Sequence, residues 1–506
     1  MMNNELYNLY KPLRNHLRPV AIENAFYVIW AYINFFQFDK SIPNDIQFPR
    51  ELIENKDKPN RAISEWELAL LAREVISNGT DSISFATKNF NNWDYFATAI
   101  NKIKAFENNA WPIFGDKSNV LDELGRIAKR QFPWQIKTSS VLFLRHFKIF
   151  SNPRIAKMIE EKIGLTIQQW YVIGTALLGS VLGHPKVNID PNIQISSITK
   201  KHFDHFLSYI STDLNNLKEI INRDVKYDDQ FVYCFNPLEY YPLVKIGNYY
   251  YCPISIFLAW RITSGIYFDL DKSGRFGDEF GHAFQDYLME ISNKVISDSG
   301  RINVLPESKY QPPGGTDKDS VDIILKDGNS AIFLESKTKR LSVRSRSELL
   351  SRDSINKDIG VLAQAVVQIY STILDYEKGL YPHMPYNQNL KIYPIVVTLE
   401  DWFIFGKDAE DLQSQVTQLM TARNIPPVYL EKMPYVIAWT LDYETLIQLI
   451  NQYSIGDIMS AWFMPDKVHH NFGQFLATSY HGQYKYIDDY FPGDFEKIYP
   501  DLLMRE

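Results

Sequence analysis

The stretch that most constrains this chain is residues 320–337, SVDIILKDGNSAIFLESK. Residues 321–325 are apolar except for Asp322, residues 331–334 are apolar again, and Asp327-Gly328 between them has hairpin turn chemistry. Into this apolar hairpin are set Asp322, Glu335 and Lys337. A turn centred on Asp327-Gly328 sets Asp322 opposite Phe333, and strand alternation then brings Glu335 and Lys337 to the same face. Charges at such a place are costly to desolvate, so they require partners, a metal ion or open solvent.

Two carboxylates and a lysine at one spot suit a hard divalent cation. Mg²⁺ is held by one or two carboxylates, keeps several waters, and lets phosphate oxygens replace some of them. A lysine beside that set orients or helps deprotonate an attacking water, or neutralises charge building on the phosphate. The flanks extend the unit. Phe276, Phe280, Phe284 and Leu288 recur every four residues, as on a buried helix stripe. Residues 303–310 read as a first strand and 311–319, QPPGGTDKD, as a turn-rich linker into the hairpin. Beyond it, Ile359, Leu362, Val366, Ile369 and Ile373 have helical spacing, and residues 392–399, IYPIVVTL, read as a buried strand.

The pattern Asp322…Glu335-x-Lys337, in the order helix, strand, strand, strand, helix, strand, resembles the PD-(D/E)XK superfamily of restriction-endonuclease-like nucleases over roughly residues 255–400. The resemblance implies an α/β restriction-endonuclease-like nuclease domain, a mixed central sheet flanked by helices, beside a large mainly α-helical N-terminal domain. It also implies Mg²⁺, with Mn²⁺ able to substitute, held by Asp322, Glu335 and the carbonyl of Ser336, with Lys337 assisting the water. A role in prokaryotic restriction, repair or antiphage defence is implied by family alone. One departure stands out: where many relatives read G-x-x-F-E on the first helix, this chain reads Gly281-His-Ala-Phe-Gln285. Glutamine adds no negative charge to a metal site. The metal is therefore expected on Asp322 and Glu335 alone; the alternatives are a further acid, Glu279 or Glu307, or weakened activity. Gln364 and Gln368, one turn apart, resemble a Q-x-x-x-Y element near the site. Gln364 is the better catalytic candidate, against an ordinary polar position on a half-buried helix.

At 506 residues the chain is too long for one compact core. The expected division is a mainly helical recognition or assembly domain over 1–224, an aromatic-rich connecting layer over 225–274, the nuclease domain over 275–452, and a C-terminal extension packed on the core over 453–506. The net charge of −7 argues against a basic coat, so a nucleic-acid surface must be local. Lys339, Arg340, Arg344 and Arg346, just after the catalytic strand, form such a patch, or else a solvated loop. DNA is the favoured substrate over RNA, and a homo-oligomer or defence-system partner is compatible with so large a non-catalytic portion.

Only Cys234 and Cys252 occur, which excludes a disulfide framework and a thiolate zinc cluster and predicts a reducing, cytoplasmic setting. No leader pattern opens the chain, and residues 26–38 are short for a membrane span, so none is expected. His202 and His205 lack a third ligand nearby and His469-His470 cannot easily face one ion, so neither pair is assigned to metal. No G-x-x-x-x-G-K loop announces an ATPase motor. The expected activity is a metal-dependent DNA endonuclease. Its rivals are a catalytically silent, nuclease-like scaffold that binds nucleic acid or a partner protein, and a nuclease switched on by a partner.

Overall fold

The computed structural model describes residues 4–58, 61–114, 120–135, 140–190, 192–228, 230–270, 275–296, 300–312, 315–338, 352–464, 471–494 and 498. Up to Asp224 the chain is mainly helical, as its three-and-four spacing predicts. Among its helices are Ile22–Phe38 (α1), Glu65–Asn78 (α2), Trp93–Phe114 (α3), Val120–Gln131 (α4), Ser140–Phe150 (α5) and Ile167–Gly183 (α6). A capping box opens α2: the Ser64 amide donates to the Glu67 carboxylate at 2.9 Å. Pro112 lies inside α3, which ends two residues later at Phe114. A proline removes one helical hydrogen bond and crowds the preceding turn, so the helix stops just beyond it instead of at it.

The connecting layer contains a hairpin. Lys186–Val187 (β1) and Ser211–Asp213 (β2), both too short for a periodic signal, join Leu243–Ile246 (β3) and Tyr249–Tyr251 (β4) in a sheet of order β1-β4-β3-β2. Gly247 turns the hairpin at φ 60°, a backbone region that glycine enters freely. Helix Ser255–Ile262 (α7) follows, and Leu238, Tyr251 and Phe257 are buried in the same core as Phe26 and Trp170. Most of the aromatics here are buried or half-buried, and Tyr249 at the hairpin turn is exposed.

Helix Arg275–Ile296 (α8) leads into a five-stranded mixed sheet made of Ile302–Pro306 (β5), Ile323–Asp327 (β6), Ser330–Lys337 (β7), Lys391–Thr398 (β8) and Val436–Trp439 (β9), in the order β9-β8-β7-β6-β5. β6 runs antiparallel to its neighbours β5 and β7, and β7, β8 and β9 are parallel. Helix Arg352–Glu377 (α9) makes the crossover from β7 to β8; Gly406–Ala422 (α10) precedes β9 and Thr440–Gln452 (α11) follows it. The first strand stops at Pro306, four residues before the expected end at 310. Proline has no N–H for the ladder, and Lys309–Tyr310 pairs separately with Lys318–Asp319.

Both faces of this sheet are covered, which is why its strands read as continuous apolar runs. Ile323, Leu325, Ile332, Leu334, Ile395 and Val397 share a core with α8, α11 and the N-terminal helices. Ile324, Ala331, Phe333, Ile392 and Val396 pack beneath α9 and α10. The stretch Ile355–Glu377 has the length and composition to cross a membrane, yet two thirds of its most apolar window is buried against protein. A buried clamp fixes α8 between the two halves of the chain: Arg145 on α5 donates to both oxygens of Glu444 on α11, at 2.7 and 2.6 Å, and the Tyr287 hydroxyl on α8 donates to Glu444 at 2.6 Å.

Candidate functional site

The hairpin register differs from expectation by two residues. Asp327 pairs with Ser330 across a Gly328-Asn329 loop, with Gly328 at φ 57°, and Ile323 pairs with Leu334. The next rung sets Asp322 opposite Glu335, not Phe333. A slip of two keeps every side chain on its face, whereas a slip of one would have reversed them all. Asp322, Glu335 and Lys337 therefore do share a face, the one covered by α9, and the two acids are cross-strand neighbours. On the outer side Ile323 pairs with Pro306, so Glu307 takes the same rung in the adjoining strand line.

Glu335 is 1% exposed. Its Oε1 accepts from Lys337 Nζ at 3.0 Å, and its Oε2 is buried with no hydrogen-bond partner among the described residues. Burial pushes its carboxyl up to about 8, the Asp322 and Glu307 charges push the same way, and Lys337 opposes them. Burial alone pulls the Lys337 ammonium down, but Glu335, Asp322 and Glu307 together hold it above its ordinary value. Burial thus favours the protonated form of Glu335, and a cation placed there competes with that proton.

Asp322 is held from the strand beside it. Its Oδ2 accepts from the Ser336 amide and from Ser336 Oγ, both at 2.6 Å. A strand residue presents its N–H and C=O on one edge, so the Ser336 carbonyl lies along the edge facing Asp322. Ser336 thereby acquires a role that its sequence context did not suggest: it fixes the aspartate through two donors. Gln285 on α8 donates to Glu307 at 3.1 Å. Gln285 thus holds an acid one residue past the end of β5, whose charge is felt by Glu335 and Lys337. Glu279 instead faces Arg154 and Arg275, at 3.5 and 3.8 Å.

Among the described residues, no three His, Cys, Asp or Glu side chains gather as a metal cage. Gln364 is exposed on α9 between buried neighbours, Gln368 is half-buried, and among the described residues neither is hydrogen-bonded to Asp322, Glu335 or Lys337. Lys339, Arg340, Arg344 and Arg346 lie outside the described residues, as do His469 and His470. His202 closes the N-terminal cap of its own helix by accepting from the Thr199 amide at 3.1 Å, and His205 Nε2 lies 2.5 Å from the Ile163 carbonyl oxygen. Both are structural. Cys234 and Cys252 are free thiols.

No protein-family model, no curated protein and no solved structure matches this chain.

Proposed function

We propose that this chain is a divalent-metal-dependent nuclease, built on a restriction-endonuclease-like sheet and hydrolysing phosphodiester bonds, DNA foremost. The observation that carries the reading is the convergence of Asp322, Glu335 and Lys337 at one end of a buried hairpin, with a Glu335 oxygen left unpartnered inside the protein. A buried carboxyl oxygen without a partner is costly unless a proton or an ion takes up its charge. A hard cation meets that need, and two carboxylates suffice for Mg²⁺ because it retains waters. The sheet order and the succession α8, β5, β6, β7, α9, β8 support the same reading, since they follow the core order of that superfamily.

Asp322 and Glu335 would hold the ion, with Glu307 near enough to add to the field. When bound, Mg²⁺ or Mn²⁺ supplies Lewis-acid polarisation of the phosphate and lowers the pKa of a coordinated water. The chain's own residues do the rest. Ser336 keeps Asp322 in one orientation through two hydrogen bonds. Lys337, protonated and 3.0 Å from Glu335, is the local positive charge available to a non-bridging phosphate oxygen or to a water approaching phosphorus. Gln285 fixes Glu307 and leaves the overall negative charge lower than a first-helix acid would.

The rival reading, a scaffold that binds nucleic acid or a partner without cutting, draws on Gln285 and on the lack of a three-acid group among the described residues. It leaves Lys337 and the unpartnered Glu335 oxygen without a purpose. A prokaryotic defence role and a cytoplasmic setting rest on the family resemblance and cysteine usage alone. The test is incubation of plasmid and single-stranded DNA with the chain and Mg²⁺ or Mn²⁺, against Asp322→Asn. Metal-dependent cutting lost in the variant supports the reading; binding without cutting under both metals, with partners added, supports the scaffold.

A further inference from the structure

The strand line that carries Asp322 does not pair without interruption. β5 and β6 pair as far as Pro306–Ile323, and pairing resumes at Lys309–Asp319 in the short ladder beyond. Between those rungs lie residues 307–308 on one side and 320–322 on the other, so the Asp322 line holds one extra residue. That is the count of a β-bulge, a feature that re-aims side chains beside active sites. Burial shows where it falls. Strand alternation would place Val321 with Ile323 and Leu325 on the α8 side. It is buried instead with Ile324 and Phe333 under α9, the face that Asp322 shares.

The bulge changes the hydrogen bonds around Asp322. A two-residue hairpin loop closes on a pair that exchanges both backbone bonds, and every second rung repeats the exchange. Counted from Asp327–Ser330 through Ile323–Leu334, a regular ladder would next send the Ser336 amide to the Val321 carbonyl. Here that carbonyl accepts from Ser320 Oγ at 2.9 Å, and the Ser336 amide donates to Asp322 Oδ2 at 2.6 Å. Ser320 is fully buried and tied to the other side of the gap. Its amide donates to the Ser308 carbonyl and its Oγ accepts from the Ser308 amide, both at 3.0 Å. One hydroxyl therefore spans the break in the ladder, as acceptor from Ser308 and donor to Val321.

We propose that Ser320 is a positioning residue: its hydroxyl holds the bulge at Val321, and the bulge leaves the Ser336 amide free to aim the Asp322 carboxylate. The consequence for metal binding rests on the reading that Asp322 holds the cation. Without the hydroxyl, the Ser308 amide and the Val321 carbonyl both lose a buried partner, which is costly. A regular ladder, in which Val321 reclaims the Ser336 amide, repairs part of that loss. Asp322 then keeps only Ser336 Oγ and loses its fixed direction.

The test pairs crystal structures in EDTA with calorimetric titration by Mn²⁺. In Ser320→Ala the distance from Asp322 Oδ2 to the Ser336 amide should lengthen beyond about 3.5 Å, outside hydrogen-bond reach. Mn²⁺ affinity should fall about tenfold, and Ser320→Thr, which keeps the hydroxyl, should restore both. Two further variants separate aiming from stability. Ser308→Ala removes a hydroxyl that reaches only the Pro306 carbonyl, at 3.4 Å, and should bind Mn²⁺ as the native chain does. Tyr310→Phe removes a 2.8 Å bond to Asp375 from the neighbouring ladder, so it should lower Tm and leave Mn²⁺ affinity unchanged. The proposal is overturned if Asp322 keeps the Ser336 amide in Ser320→Ala, or if Tyr310→Phe weakens Mn²⁺ binding as much as Ser320→Ala does. Loss of that contact in Ser320→Ala, with no Mn²⁺ uptake by the native chain, would instead remove the metal reading and leave the hold of Ser320 on Asp322 standing.

Discussion

Replacing Glu335 with glutamine in the metal-free chain isolates the cost of its buried charge. The carboxyl ionises near 4.5 when unstrained and at about 8 in the folded chain, mainly because it is buried. An acid whose folded pKa is raised is most stabilised below its unfolded value. Stability then falls as pH rises from 4.5 to 8 and stays low above that, because across this window the folded state alone keeps the proton. At about 1.4 kcal/mol per pH unit the full loss is about 5 kcal/mol, an upper figure because local relaxation and water entry soften it. Glutamine carries no charge in either state. The variant should therefore match the native chain within about 1 kcal/mol at pH 5 and exceed it by a few kcal/mol at pH 9, in urea unfolding monitored with EDTA present. Adding Mg²⁺ at pH 9 should restore native stability and leave the variant unmoved. A stability difference that is flat from pH 5 to 9 would refute the reasoning, since Glu335 would then not be a desolvated acid.

Glu307→Gln removes a charge that raises the Glu335 pKa, so the midpoint of that pH-dependent loss should move below 8 while Mg²⁺ affinity, read by calorimetry, weakens. Asp322→Ala strips the acceptor from two Ser336 donors and should cost about 2–4 kcal/mol in urea unfolding, with Asp322→Asn losing less because an amide oxygen remains. Arg145→Met leaves Glu444 buried without its counter-ion and should cost about 3–5 kcal/mol; the double variant Arg145→Met/Glu444→Leu should recover most of that, and no recovery would argue against the pair.

What the sequence revealed was local. The four-residue recurrence of Phe276, Phe280, Phe284 and Leu288 and the apolar runs of β6, β7 and β8 mark buried elements without knowledge of their partners. The shared face of Asp322, Glu335 and Lys337 was readable because it depends only on the parity of the register, although the turn lay one residue later than Asp327-Gly328 suggested. Glu307 was a named alternative, but its place on the Asp322–Glu335 rung follows from the β5–β6 register, and the break at Pro306 hid it. The signal for the two Ser336 donors was equally absent, since a serine in a strand is usually only a serine. The Arg145–Glu444 clamp joins residues 299 apart, and a contact of that span carries no periodic trace.

The most direct measurement is the rate of plasmid and single-stranded DNA cleavage with Mg²⁺ or Mn²⁺ by the native chain, Glu335→Ala and Lys337→Ala, with metal affinity measured alongside. Native cutting should vanish in EDTA and in both variants, with metal binding lost in Glu335→Ala and retained in Lys337→Ala. Cutting that survives Lys337→Ala and Glu335→Ala unchanged would contradict the account, because the chemistry would then lie elsewhere in the chain.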